Sequence, residues 1–173
     1  PVAVDPHGDH GGGDLMDVVY AARWARKEGL ASRVAVLGYS YGGFIAFLAT
    51  VKQPDAWDAG VAGAGVADWE EMYELGDALF KRFVEVLFAG KRELWRERSA
   101  IHLAQNLKAP LCIVHPQNDT RTPLKPVLKY ALKLLELGKT FELHILPDAG
   151  HAVTRVEDAL KLLLPAITFL EKY

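Results

Sequence analysis

The sequence predicts an α/β fold, a mostly parallel sheet with helices on both faces, in one domain spanning residues 1–173. Three observations predict it. Short continuous apolar runs alternate with segments of helical periodicity, the pattern of parallel strands covered on both sides. A Gly-x-Ser-x-Gly string, Gly38-Tyr39-Ser40-Tyr41-Gly42, lies between one such run and a helical segment. The 173 residues hold no repeat, low-complexity tract or Pro/Ser-rich linker, which suits one core rather than several.

The elements follow in order. Asp14 is placed to cap a helix in which Leu15, Val18, Val19 and Ala22 recur at helical spacing, with Gly29 closing it. Val34 to Leu37 is the first strand, and the apolar segment after Gly43 is a buried helix ending near Lys52. Ala59 to Ala64 is a second strand, small enough for a crowded sheet centre. Residues 68–105 read as helical and irregular, and rich in aromatics. Leu111 to His115 is a third strand. A helix marked by Val127, Leu128, Ala131, Leu132 and Leu135 stops at Gly138. Phe141 to Leu146 is a fourth strand. The last helix carries Val156, Ala159, Leu160, Leu163, Leu164 and Ile167, with Pro165 as a kink.

Composition narrows the class. A net charge of −2 gives no electrostatic case for nucleic acid or an anionic membrane. The apolar runs fall far short of a bilayer span, and no basic and apolar leader opens the chain. The single Cys112, in an apolar strand, cannot form an intrachain disulfide and reads as a buried, inert thiol. A cytoplasmic protein is expected. The His- and Asp-rich stretch 5–14 fits no standard ligand spacing, so neither a metal nor a cofactor is expected.

The chemistry starts at Ser40. A bare Gly-x-Ser-x-Gly arises by chance in roughly one chain in twenty of this length, so its flanks carry the inference. Strand, sharp turn and helix are the context in which such a serine becomes a nucleophile. Glycines let strand and helix approach, and the helix N-terminus favours developing negative charge, with the Tyr41 backbone N–H as oxyanion donor. A serine hydroxyl also needs an imidazole to take its proton and a carboxylate to orient that imidazole. Asp119 follows the third strand and His151 the fourth, each ahead of a helix, in the order serine, acid, histidine. Asp148, three residues before His151, reads as a turn former. His115 and His144 lie within strands, and His102 on the surface. His10-Gly11-Gly12-Gly13 reads as a glycine-rich lead-in to the first helix, with an oxyanion loop as the alternative.

These motifs together resemble the prolyl oligopeptidase family, in its acylaminoacyl-peptidase branch. Gly8-Asp9-His10-Gly11-Gly12-Gly13-Asp14-Leu15 is similar to the stretch before that family's elbow helix, and Gly38 to Gly43 to its nucleophile elbow. His115 to Pro123 resembles its acid loop, and Gly150-His151 its histidine loop. The resemblance runs from Gly8 to the end and implies the C-terminal half of an α/β-hydrolase catalytic domain. A reduced version of that fold, without propeller or large cap, is expected. The family's first strands and its His-Gly-Gly-Pro loop have no counterpart here, unless residues 1–8 stand in for them.

The expected activity is that of a serine hydrolase working through an acyl-enzyme. Short-chain carboxylic esters are the expected substrates, because a missing oxyanion donor costs about 3–4 kcal/mol and amides need it more. The alternative is an acylaminoacyl-peptidase or oligopeptidase acting on a short acyl-peptide, or else an inactive fragment or binding module. Trp69, Tyr73, Phe80 and Phe83 are expected to line an apolar acyl pocket. The strand Val34 to Leu37 has no Pro or Lys to blunt its edge. Unless Val2-Ala3-Val4 covers it, a homo-oligomer, dimer or tetramer, is expected.

Overall fold

The four apolar runs read as strands all lie in strands, and these pair in parallel in chain order. In this computed structural model, which describes residues 8–173, the strands are β1 Ala35–Tyr39, β2 Ala59–Gly63, β3 Leu111–Pro116 and β4 Phe141–Leu146. β1 runs two residues beyond its apolar stretch, because Gly38 and Tyr39 still find partners in Ala62 and Gly63. Val2-Ala3-Val4, the alternative cover for the edge of β1, lies outside the described residues.

Helices α1 Gly13–Lys27, α2 Tyr41–Lys52 and α6 Leu124–Glu136 cover one face of the sheet. Their apolar sides meet Val36, Ala62, Leu111 and Ile113, the residues that point to that face. α2 is apolar nearly all round and is buried from Gly43 to Val51. Small residues let it sit low on the sheet. A Cβ on Gly60 would come 2.6 Å from the Thr50 side chain. The other face belongs to α7, Val156–Leu170, whose Ala166 and Phe169 pack on Ala59, Val61, Cys112 and Val114. α7 reaches β2, β3 and β4. Leu37, on the same face of β1, stays 56% exposed. Burial pushes the Cys112 thiol up to about 12, the inert state expected.

Two boundaries differ from the periodicity. Asp14 is not the cap of α1. The cap position is Gly12, and Asp14 sits in the first turn with Oδ1 accepting from the Gly11 and Leu15 N–H groups at 2.8 Å. α6 starts at Leu124, ahead of the apolar marker Val127. The irregular stretch resolves into α3 Trp69–Leu75, α4 Ala78–Leu87, α5 Glu93–Glu97 and a 3₁₀ segment Ala100–Asn106. Asp68 and Asp77 cap α3 and α4 through their carboxylates. Among the described residues, no helix is long and apolar enough to cross a membrane.

Candidate active site

Parallel strands linked by helices bring their C-terminal ends to one edge, and the site residues collect there. Ser40 stands alone between the last residue of β1 and the first of α2. Its φ is +57°, a left-handed conformation that L residues hold only when the surroundings force it. Glycines do the forcing at two positions. A Cβ on Gly38 would lie 2.1 Å from the Gly42 carbonyl oxygen. One on Gly43 would lie 2.3 Å from the Gly63 oxygen. Gly42, the last glycine of the motif, has nothing within 4 Å of that point. The Ser40 N–H donates to Gly63 O at 2.8 Å, which pins the turn to β2.

His151 and Asp119 reach this serine as expected. Ser40 Oγ lies 2.8 Å from His151 Nε2, and His151 Nδ1 lies 2.7 Å from Asp119 Oδ2. The carboxylate can only accept, so Nδ1 carries the proton and Nε2 is left to receive one from Ser40. The Asp119 side chain is fully buried and that of His151 20% exposed. Asp119 holds its place through Oδ1, which accepts from the Arg121 N–H at 2.9 Å and the Thr122 N–H at 2.8 Å. Thr122 Oγ1 donates at 2.9 Å, shared between Asp119 Oδ2 and Ala64 O. Beneath, the buried His115 donates from Nε2 to Thr122 O at 2.7 Å. Burial holds the His115 pKa below its usual value.

The Tyr41 N–H is the first of α2, directly after Ser40, and has no intrahelical acceptor. The Tyr41 side chain is tied to the start of α1. Its hydroxyl donates to Asp14 Oδ2 and accepts from His10 Nδ1 at 2.7 Å. Burial, followed by the bond to Asp14, pushes the Tyr41 pKa upward. The glycine-rich string is a helix lead-in and not an oxyanion loop. The N–H groups of its three glycines are spent on Asp14 Oδ1 (Gly11), Asp9 O (Gly12) and Asp9 Oδ2 (Gly13).

The expected aromatic pocket is not what these residues build. Trp69 is buried in the core, its ring 5.0 Å from Phe44 and 5.1 Å from Phe88. Tyr73 stacks on Trp95 at 4.7 Å and donates to Glu85 at 2.9 Å. Phe80 packs half-buried against the core, and Phe83 is 53% exposed. The reason is tertiary: α4 turns its most apolar side only partly inward, while Trp69 fills the space above α2. A cavity of about 260 Å³ lies instead between the histidine loop and α7, lined by Tyr39, Pro116, Gly150, Val153, Arg155 and Leu162 among others and by none of Ser40, Asp119 and His151. Asp148 adopts φ +57° and makes the turn into the histidine loop, not a bond to His151. His144 bonds Glu142 at 3.1 Å. Asp68, Glu70 and His102 bring donor atoms within 4.8 Å of one another. That cluster is already committed, since Asp68 caps α3 and Glu70 pairs with His102 at 3.3 Å and Arg96 at 4.0 Å.

Sequence reasoning missed four residues that shape the site. Thr122 and His115 support the acid, Asp14 fixes the Tyr41 side chain, and Tyr39 donates from its hydroxyl to the His151 carbonyl at 2.7 Å. Only Thr122, three residues after an aspartate in a loop, carries a local signal.

A strained elbow serine, an imidazole and a buried carboxylate meet at the C-terminal edge of a parallel sheet, the arrangement of the α/β-hydrolase fold. Within that class the chain belongs to the prolyl oligopeptidase family, whose profile matches residues 5–173. It is 30% identical over 155 residues to the "Uncharacterized peptidase YuxL" of Bacillus subtilis, covering 86% of this chain and 23% of that one. It is 28% identical to the human "Acylamino-acid-releasing enzyme", covering 96% and 24%. A solved acylaminoacyl peptidase in complex with Z-Gly-Gly-Phe-chloromethyl ketone superposes with a TM-score of 0.83 at 26% identity, over 98% of this chain and 29% of that one. The chain thus spans about a quarter of the length of the curated relatives it matches.

Proposed function

We propose that this chain is the triad-bearing part of a serine peptidase of the acylaminoacyl-peptidase or oligopeptidase type, cleaving short or N-acylated peptides through an acyl-enzyme. The observation that carries the reading is the unbroken relay of 2.8 Å and 2.7 Å from Ser40 through His151 to Asp119. Ser40 Oγ attacks the carbonyl carbon as its proton passes to His151 Nε2. Asp119 stabilises the imidazolium, and the Tyr41 N–H receives the developing oxyanion. His151 then protonates the leaving amine, and a water molecule activated by the same imidazole releases the acyl group.

Family membership and the relatives' names favour peptides over the short-chain esters expected from the sequence. A specific observation keeps the ester reading alive as the second one. Among the described residues the Gly11, Gly12 and Gly13 N–H groups are committed elsewhere, which favours Tyr41 as a lone oxyanion donor. Turnover of N-acyl-amino-acid anilides set beside p-nitrophenyl acyl esters separates the two. Anilide hydrolysis that Ser40→Ala abolishes supports the peptidase reading. Ester turnover with no detectable anilide cleavage replaces it with the esterase.

Assembly is a proposal of the same kind. The exposed Leu37 and the outer edge of β1 suit pairing with a second copy. Sedimentation at micromolar concentration is expected to give a dimer or tetramer, and a single monomeric species would overturn it.

A further inference from the structure

We infer that Tyr39 is a positioning residue for catalysis: its hydroxyl holds the backbone of His151, so that base and nucleophile are located by neighbouring residues of one strand end. The inference rests on the serine-hydrolase reading of the site. Tyr39 is the last residue of β1 and Ser40 the next in the chain. Its Oη donates to His151 O at 2.7 Å across 112 positions of sequence. Its ring lies 5.7 Å from the imidazole, tilted by 43°. One residue therefore sets where the base sits relative to the nucleophile.

The histidine loop depends on this bond. The segment from Ala152 to Arg155 is exposed. The backbone of the loop is tied down at Ala149 O, which accepts from Asn118 N–H at 2.9 Å, and at His151 O. Between the Asp148 turn and the start of α7, the Tyr39 hydroxyl is what fixes the height of the His151 backbone over Ser40. The sheet makes room for it. A Cβ on Gly63, the cross-strand partner of Tyr39, would lie 2.8 Å from the Tyr39 ring. The hydroxyl also stays a donor under all working conditions, because burial and then the Asp119 charge push its pKa up to about 12.

Imidazole misplacement of a fraction of an ångström lengthens the proton transfer without altering what the substrate touches. The effect belongs in kcat rather than KM. The test is Tyr39→Phe, which keeps the ring and removes the bond. The expected result is a kcat about tenfold lower on p-nitrophenyl acetate, a KM within about twofold, and a fluorophosphonate labelling rate lowered in step. Wild-type kcat in Tyr39→Phe overturns the inference, while wild-type enzyme that neither turns over nor labels overturns the serine-hydrolase reading beneath it. A second measurement keeps the two apart. The His151 Nδ1–H proton resonance, read by NMR without substrate, is expected to broaden or shift in Tyr39→Phe. A signal identical to wild type overturns the inference whatever the activity.

Discussion

Two turns carry Ser40 and His151, and they are held in different ways. The elbow between β1 and α2 is locked by backbone. Ser40 is bonded to β2 through its own N–H, and Gly38 and Gly43 leave no room for it to move. The histidine loop between β4 and α7 is largely exposed; one backbone bond ties Ala149 to Asn118, and His151 itself is held by side chains from elsewhere, Tyr39 to its backbone and Asp119 to its imidazole. Ser40 is placed by backbone contacts of the elbow with β2. The base is placed by long-range hydrogen bonds. Perturbations at the elbow should therefore appear in folding, and perturbations at the histidine loop in catalysis.

The largest effect on the loop side is Asp119→Asn. It removes the charge and inverts the hydrogen-bond sense at His151 Nδ1, and kcat is expected to fall about 10³–10⁴-fold while the urea midpoint changes little by comparison. Equal losses in stability and activity would erase the contrast between the two turns. On the elbow side, Gly43→Ala drives a Cβ against the β2 backbone and is expected to destabilise by about 3 kcal/mol in urea titration. Its neighbour sharpens the point. Gly42→Ala meets open space inside a helix and should be neutral or stabilise by about 0.5 kcal/mol.

A smaller effect separates the support of the acid from both turns. Burial lowers the His115 pKa in the folded protein, whereas the unfolded chain titrates near 6.5. The unfolded state then binds the proton more readily. Stability is full above pH 6.5 and falls as the pH drops below it. The urea midpoint should decline across that range, and His115→Gln, which cannot titrate, should flatten the decline.

The division between the turns also decides what the sequence discloses. β4, the apolar cores of the other strands and the triad order are local features, set by runs of apolar residues and by short spacings after strands. Ser40, Asp119 and His151 were legible for that reason. Tyr39 and His115 were not, because their roles are bonds to atoms that only folding brings close, and a tyrosine inside a Gly-x-Ser-x-Gly motif looks like any variable position. The aromatic stretch misled in the same manner. Trp69 has the composition of a pocket wall, yet its neighbours Phe44 and Phe88 make it core. Gly42 belongs to the motif but is under no steric demand, while Gly43, outside it, would press a Cβ to 2.3 Å from the Gly63 oxygen.

The central claim is that Ser40 is a nucleophile activated by His151. Incubation with a fluorophosphonate probe, followed by peptide mass spectrometry, tests it most directly. The account predicts one labelled site, at Ser40, with labelling lost in Ser40→Ala and slowed by orders of magnitude in His151→Ala. Folded wild-type protein that takes up no label, or label at Ser40 that is indifferent to His151, would contradict it.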